Sequence, residues 1–189
     1  LGATYANGPV NLYFAVDSVN YASYFDKSGT GTPAPETNVT KDVDDSLTVA
    51  FGGSYDFSVV KVFAGAQYFD EVLVGKVSGL SNVGLDSLGK MEGYALQASA
   101  SAPLAGGTGY FGVGYVDASE ADSVAASAGF DIKYYVASVG YKYDLSKRTN
   151  VYGVLSYAKG DQDVATPTDK IFDRKPSMVG FGIGLRHNF

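Results

Sequence analysis

The ionisable side chains of this sequence form no catalytic set. His187 is the one histidine and there is no cysteine, so a thiolate nucleophile and a Cys/His metal site are both absent. A hydrolytic triad would need that histidine beside a serine and a polar orienting residue, and His187 has no such company. What remains is electrostatic. Asp17, Asp56, Lys61, Lys142, Asp144 and Arg186, with Gln67 and Gln97, each fall at the polar phase of an alternating stretch whose other phase is apolar. Side chains placed in this way set the charge of a wetted surface. They do not make or break bonds.

The elements that would position them are strands. The last thirteen residues, Ser177 to Phe189, show it best. Phe189, Leu185, Ile183, Phe181 and Val179 recur at every second position, with His187 as the exception, and Gly180, Gly182, Gly184, Arg186 and Asn188 lie between. A period of two over this length is a strand with unlike faces. A soluble sheet would patch its second face with Ser, Thr, Lys or Glu. Here the glycines suggest crowding or curvature, and the apolar face points into something greasy. A transmembrane β-strand needs about ten such residues.

Composition agrees. The chain has 189 residues with Gly 24, Tyr 15, Trp 0 and Cys 0, 46% hydrophobic residues and a formal charge of −6. Mean hydropathy is near zero, because apolar residues are spread singly along strands instead of being gathered in runs. No stretch approaches the roughly 18–20 apolar residues of a membrane helix. The negative charge and the lack of any Lys/Arg cluster argue against a nucleic-acid partner.

In chain order, short turns are expected at Asn7–Pro9, Phe57–Val59, Pro103–Thr108 and Ser146–Thr149. Alternating segments lie on either side of each. Long irregular segments are expected at 26–45, 71–91, 117–129 and 159–175. The first holds Asp42, Asp44 and Asp45, read as solubilising in preference to a divalent-cation site. The count is nine strands, with short turns on one rim and long loops on the other, the pattern of an antiparallel transmembrane β-barrel.

Three stretches carry a family resemblance: Ala3 to Pro9, the run Tyr141 to Tyr152 through Leu145-Ser146-Lys147-Arg148-Thr149, and Gly182 to Phe189. With its terminal Phe, the chain resembles the general outer-membrane porins of β-proteobacteria. The resemblance implies a sixteen-stranded homotrimeric barrel in the bacterial outer membrane, in contact with lipid and lipopolysaccharide. It would pass ions and small hydrophilic solutes passively, with no cofactor and no enzymatic activity. It also implies that Phe181, Ile183, Leu185 and Phe189 form a C-terminal assembly signal.

Single-chain bacterial barrels have even strand numbers. Nine strands, beginning at Leu1 inside an alternating stretch without a leader, therefore predict the C-terminal half of a longer porin, as one domain over residues 1–189. On this reading Asp17, Asp56, Lys61, Gln67, Gln97, Lys142, Asp144 and Arg186 face the lumen. Lys61, Lys142, Asp144 and Arg186 would sit in a solvated vestibule near the short-turn rim. His187, outward in phase, would lie in the interface belt. Two other readings compete: a small structural or adhesive outer-membrane barrel without a wide pore, and a soluble β-sandwich or lipocalin-like binder. The odd strand count weighs against the first, and the apolar run from Val179 to Leu185 against the second.

Overall fold

The computed structural model describes residues 1–20, 24–26, 39–41, 44–74, 89–121, 129–166 and 169–189. Every described element is a strand: β1 Gly2–Asn7, β2 Val10–Val19, β3 Tyr24–Asp26, β4 Val39–Lys41, β5 Ser46–Asp56, β6 Lys61–Val74, β7 Gly89–Leu104, β8 Gly107–Glu120, β9 Gly129–Ser146, β10 Thr149–Thr166, β11 Asp169–Arg174 and β12 Ser177–His187. Strands β3 and β4 pair only with each other. The other ten form one sheet in the order β1-β2-β5-β6-β7-β8-β9-β10, with β11 and β12 both on the far edge of β10. Every neighbouring pair is antiparallel.

The split at that edge has a local cause. β12 pairs Thr149–Lys159 of β10, and β11 pairs Gln162–Thr166 of the same strand. Pro176 lies between them and has no N–H for the ladder. Its carbonyl still accepts from Gly160 N at 2.8 Å, so the two pieces stay in line. The ten strands therefore fill nine places across the sheet, in accord with the count from sequence.

Turn chemistry fixes the register. Ala105 and Gly106 join β7 to β8 with φ of 45° and 82°, a two-residue hairpin of the kind whose twist suits paired strands. The expected turn at Pro103–Thr108 is thus tighter, since Pro103 still pairs Thr108 and Leu104 pairs Gly107. At the β9–β10 turn Ser146 Oγ accepts from the backbone N–H groups of Arg148 and Thr149 at 3.2 and 3.1 Å. At β5–β6, Phe57 N donates to Val60 O at 2.9 Å.

The segments expected to be irregular at 71–91, 117–129 and 159–175 are largely paired where described. β6 runs to Val74, β8 to Glu120, and β10 to Thr166 with β11 beside it. In the other direction, β2 ends at Val19, although the alternation in the sequence runs from Val10 to about Tyr24. Most of 26–45, including Asp42, lies outside the described residues.

A one-layer wall has little interior. The buried apolar side chains among the described residues are Met91, Ala118 and Ala121, all toward the long-loop rim. Beside them the buried Lys90 ammonium meets Glu71 Oε2 at 2.8 Å and donates to Asp44 O at 2.6 Å. Large hydrophobics are exposed instead: Phe181 at 83% and Ile183 at 87%.

Candidate functional site: the polar face of the wall

Register decides which side chains share a face, because successive residues of a strand point to opposite sides. Take Phe14 as the start of one face. Phe14 pairs Phe51, Phe51 pairs Ala66, Ala66 pairs Leu96 and Leu96 pairs Tyr115. The same face continues through Tyr135, and along β9, β10 and β12 through Val139, Leu155 and Phe181. It is apolar throughout its middle.

A row of tyrosines borders this apolar face on the long-loop side. Tyr68 pairs Tyr94, Tyr115 pairs Tyr135, and Tyr157 pairs Ala137. Ring centroids of Tyr94 and Tyr115 are 5.9 Å apart, and those of Tyr115 and Tyr135 are 4.8 Å apart. Immediately beyond the row the same face turns polar. Asp117 accepts from Tyr115 Oη at 2.7 Å and meets Lys133 Nζ at 3.6 Å. Lys159 and Asp161 follow on β10.

On the short-turn side Tyr55 and Phe57 lie 4.4 Å apart, and His187 meets Phe189 edge-on at 4.9 Å. Thr149 Oγ1 and His187 Nδ1 are 2.9 Å apart. Along β9 the apolar stretch runs from Tyr135 to Leu145. At about 3.4 Å per residue and a strand tilt of roughly 40°, it reaches about 25 Å, the height of an outer-membrane apolar band. Aromatic rings at both borders suit the two interfaces, where an amphipathic ring bridges lipid and water. Phe181, Ile183 and Leu185 lie on this face of β12.

The opposite face carries every side chain expected to meet water. Asp17 pairs Thr48, Asp56 pairs Lys61, and Gln67 pairs Ala50 and Ala95. Gln97 pairs Gly65 and Gly114, Lys142 pairs Thr108 and Tyr152, and Asn150 pairs both Asp144 and Arg186. The register brings all of these to one face. It does not bring them to one point. Lys61, Asp56, Lys142, Asp144 and Arg186 lie near the short turns, Gln67 and Gln97 lie higher, and Asp17 lies toward the long-loop end of β2. Lys142 Nζ is 3.4 Å from Asp144 Oδ1, Arg186 Nε donates to Asn188 Oδ1 at 3.3 Å, and Lys61 Nζ sits 5.4 Å from the Phe63 ring centre.

Between these charges the face is floored by small residues, and the Tyr13, Tyr134 and Tyr152 rings lie on glycines. A β-carbon at Gly52 would come within 2.7 Å of Tyr13 Oη, and one at Gly184 within 2.3 Å of Tyr152 Cζ. The rings therefore rest against bare backbone with their other side exposed. Two hollows result. One, of about 610 Å³, is lined by Tyr110, Lys142, Asn150, Tyr152 and Arg186. The other, of about 280 Å³, is lined by Tyr13, Gln67, Gln97 and Tyr134. Tyr110 and Tyr152 are absent from the candidates drawn from sequence. The signal available was an inward aromatic diagonal to an inward lysine, and it needs the register to be seen. Asp44 and Asp45, from the acidic stretch, are engaged at the long-loop rim: Asp45 Oδ2 accepts from Asn20 Nδ2 at 2.8 Å, and the Asp44 carbonyl accepts from Lys90.

Outside the membrane-height stretch, at the end of β8, partial burial pushes the Glu120 carboxyl above the usual glutamate range.

Comparison with known proteins agrees with this geometry. The chain is 31% identical, over an alignment of 201 residues, to an outer membrane porin protein of Bordetella pertussis; the alignment takes in 100% of this chain and 45% of that protein. The chain thus spans somewhat less than half the length of this relative. No family model and no solved structure matches it. A likeness to part of an outer-membrane porin that takes in this whole chain, carried on an antiparallel wall with one apolar and one polar face, makes this a transmembrane β-barrel chain of the bacterial outer membrane.

Proposed function

We propose that this chain is the C-terminal half of a sixteen-stranded porin, and that its polar face lines a water-filled channel for passive diffusion of ions and small hydrophilic solutes. One observation supports this above others: within the apolar band every Asp, Lys and Arg side chain falls on the same face of the sheet. A lysine or arginine on the lipid side at mid-membrane would cost about 2–4 kcal/mol, so the alternation separates a lipid side from a water side. Asp17, Asp56, Lys61, Gln67, Gln97, Lys142, Asp144 and Arg186 then line the lumen, with the charges near the short turns forming its periplasmic vestibule.

Among the described residues the sheet has two open edges, one on β1 and one along β11 and β12. In hydrocarbon each unpaired backbone group costs several kcal/mol, so further strands have to close the wall. In the same reading Phe181, Ile183, Leu185 and Phe189 are the terminal signature recognised during assembly. The finished barrel is a homotrimer. Its charged collar above the tyrosine row meets lipopolysaccharide headgroups.

The test is conductance. The full-length protein, refolded in detergent and added to a planar bilayer, should give stepwise ohmic currents in KCl. A folded, membrane-inserted protein that carries no current would sink the channel reading and favour a structural or adhesive barrel.

A further inference from the structure

We propose that the hollow between Tyr110 and Tyr152 is a weak binding station for aromatic carboxylates, a role that rests on the reading of this face as channel lining. The station is built from adjacent strands. Tyr110 on β8 pairs Gly140 of β9, and two residues along β9 Lys142 pairs Tyr152 of β10. The two rings therefore flank β9 diagonally, with Lys142 beside them. Gly140, with no side chain, lies in the floor between them. Arg186 completes the group from β12, two residues from the Gly184 on which the Tyr152 ring rests.

Each component points to one part of a ligand. Tyr152 is 48% exposed and Tyr110 45%, so both rings present a free side, that of Tyr152 braced from behind by Gly184. A planar ring stacks on such a platform by offset or edge-to-face contact. Lys142 and Arg186 line the hollow and, among the described residues, no carboxylate does; Asp144 reaches Lys142 from outside it at 3.4 Å. Cations in this setting take a carboxylate through charge-assisted hydrogen bonds. A volume of about 610 Å³ holds such a molecule with water to spare, which suits a site that must also release its occupant. The smaller hollow, at Tyr13, Gln67, Gln97 and Tyr134, has rings and amides and, among the described residues, no cation. It serves as an internal control.

The experiment measures KCl current through single channels of the full-length protein while benzoate, cyclohexanecarboxylate or acetate is added. Benzoate should block or add current noise with an apparent affinity about tenfold above that of acetate, with cyclohexanecarboxylate between them. Tyr152→Leu and Arg186→Gln should each weaken the benzoate effect about fivefold or more, and Tyr152→Phe should keep it. Gln67→Ala, in the control hollow, should leave it unchanged. Should Tyr152→Leu fail to insert, Lys142→Gln replaces it with the same expected loss. Channels that conduct KCl and respond equally to benzoate and acetate overturn the station alone, as do variants that bind like the parent. An inserted protein without KCl current overturns the channel reading and the station with it.

Discussion

Strands β9 and β10 each run through two environments. In the half next to the Ser146–Thr149 turn their faces are unlike: Val139, Tyr141, Tyr143, Val151 and Leu155 lie on one side, and Ser138, Gly140, Lys142, Tyr152 and Ser156 on the other. Beyond Tyr135 the contrast disappears. Asp131, Lys133, Asp161 and Asp163 occupy the face that was apolar, with Ile132, Tyr134 and Gln162 opposite. The ladder does not notice the change, and pairing continues to Ala165 opposite Gly129. Backbone hydrogen bonds hold both halves together. The alternation of side chains reports only the medium on each side of the sheet.

The most severe way to test that contrast is a lysine on the same face in each half. Val139→Lys places a charge in the middle of the apolar band and should cost about 2–4 kcal/mol, read as a lower urea midpoint for the folded barrel in vesicles. Asp131→Lys, four places up the same face, should change stability by no more than about 0.5 kcal/mol and so barely move the midpoint. Equal losses at the two sites would mean that the two halves share one environment.

A finer comparison lies within one strand. Gly184 and Gly180 both sit on the polar face of β12. A β-carbon at Gly184 meets the Tyr152 ring at 2.3 Å, whereas one at Gly180 has nothing within 4 Å. Gly184→Ala should displace that ring and cost about 1 kcal/mol. It should also weaken the benzoate effect, because the platform moves. Gly180→Ala should leave stability within about 0.5 kcal/mol and the benzoate response intact. A tolerated alanine at Gly184 with unchanged block would show that the ring's resting place does not matter.

This contrast also explains what the sequence disclosed. The band from Tyr135 to Leu145 and the strand from Val179 to Leu185 were legible because lipid on one side and water on the other impose a period of two. The polar phase of Asp17, Lys61, Gln97 and Arg186 followed from the same rule, and the register then brought them to one face. The run Lys159-Gly160-Asp161-Gln162-Asp163 had no such imprint: with water on both sides, a strand and a loop draw on the same residues. The rest of 159–175 also read as irregular, although β11 lies within it and Pro176 only interrupts the edge between β11 and β12. The hollow at Tyr110 and Tyr152 was hidden for another reason. Its members come from three neighbouring strands, and only the pairing of Gly140 with Tyr110 and of Lys142 with Tyr152 sets them together.

The smallest expected effect lies at Glu120, where β8 ends against Met91 of β7. Partial burial raises its carboxyl pKa in the folded protein, so the fold disfavours the ionised form. A raised acid contributes stability that is fully present below the unfolded carboxylate range and lost as pH rises through the folded value. At pH near 7 the side chain is therefore ionised at a small cost, and at pH near 3 it is neutral in both states. Glu120→Gln should accordingly raise the urea midpoint slightly at pH 7 and leave it unchanged at pH 3. A gain that persists in acid would trace to packing against Met91 instead. A loss at pH 7 would mean that the carboxylate, beyond the tyrosine row, is held by an interaction stronger than its burial.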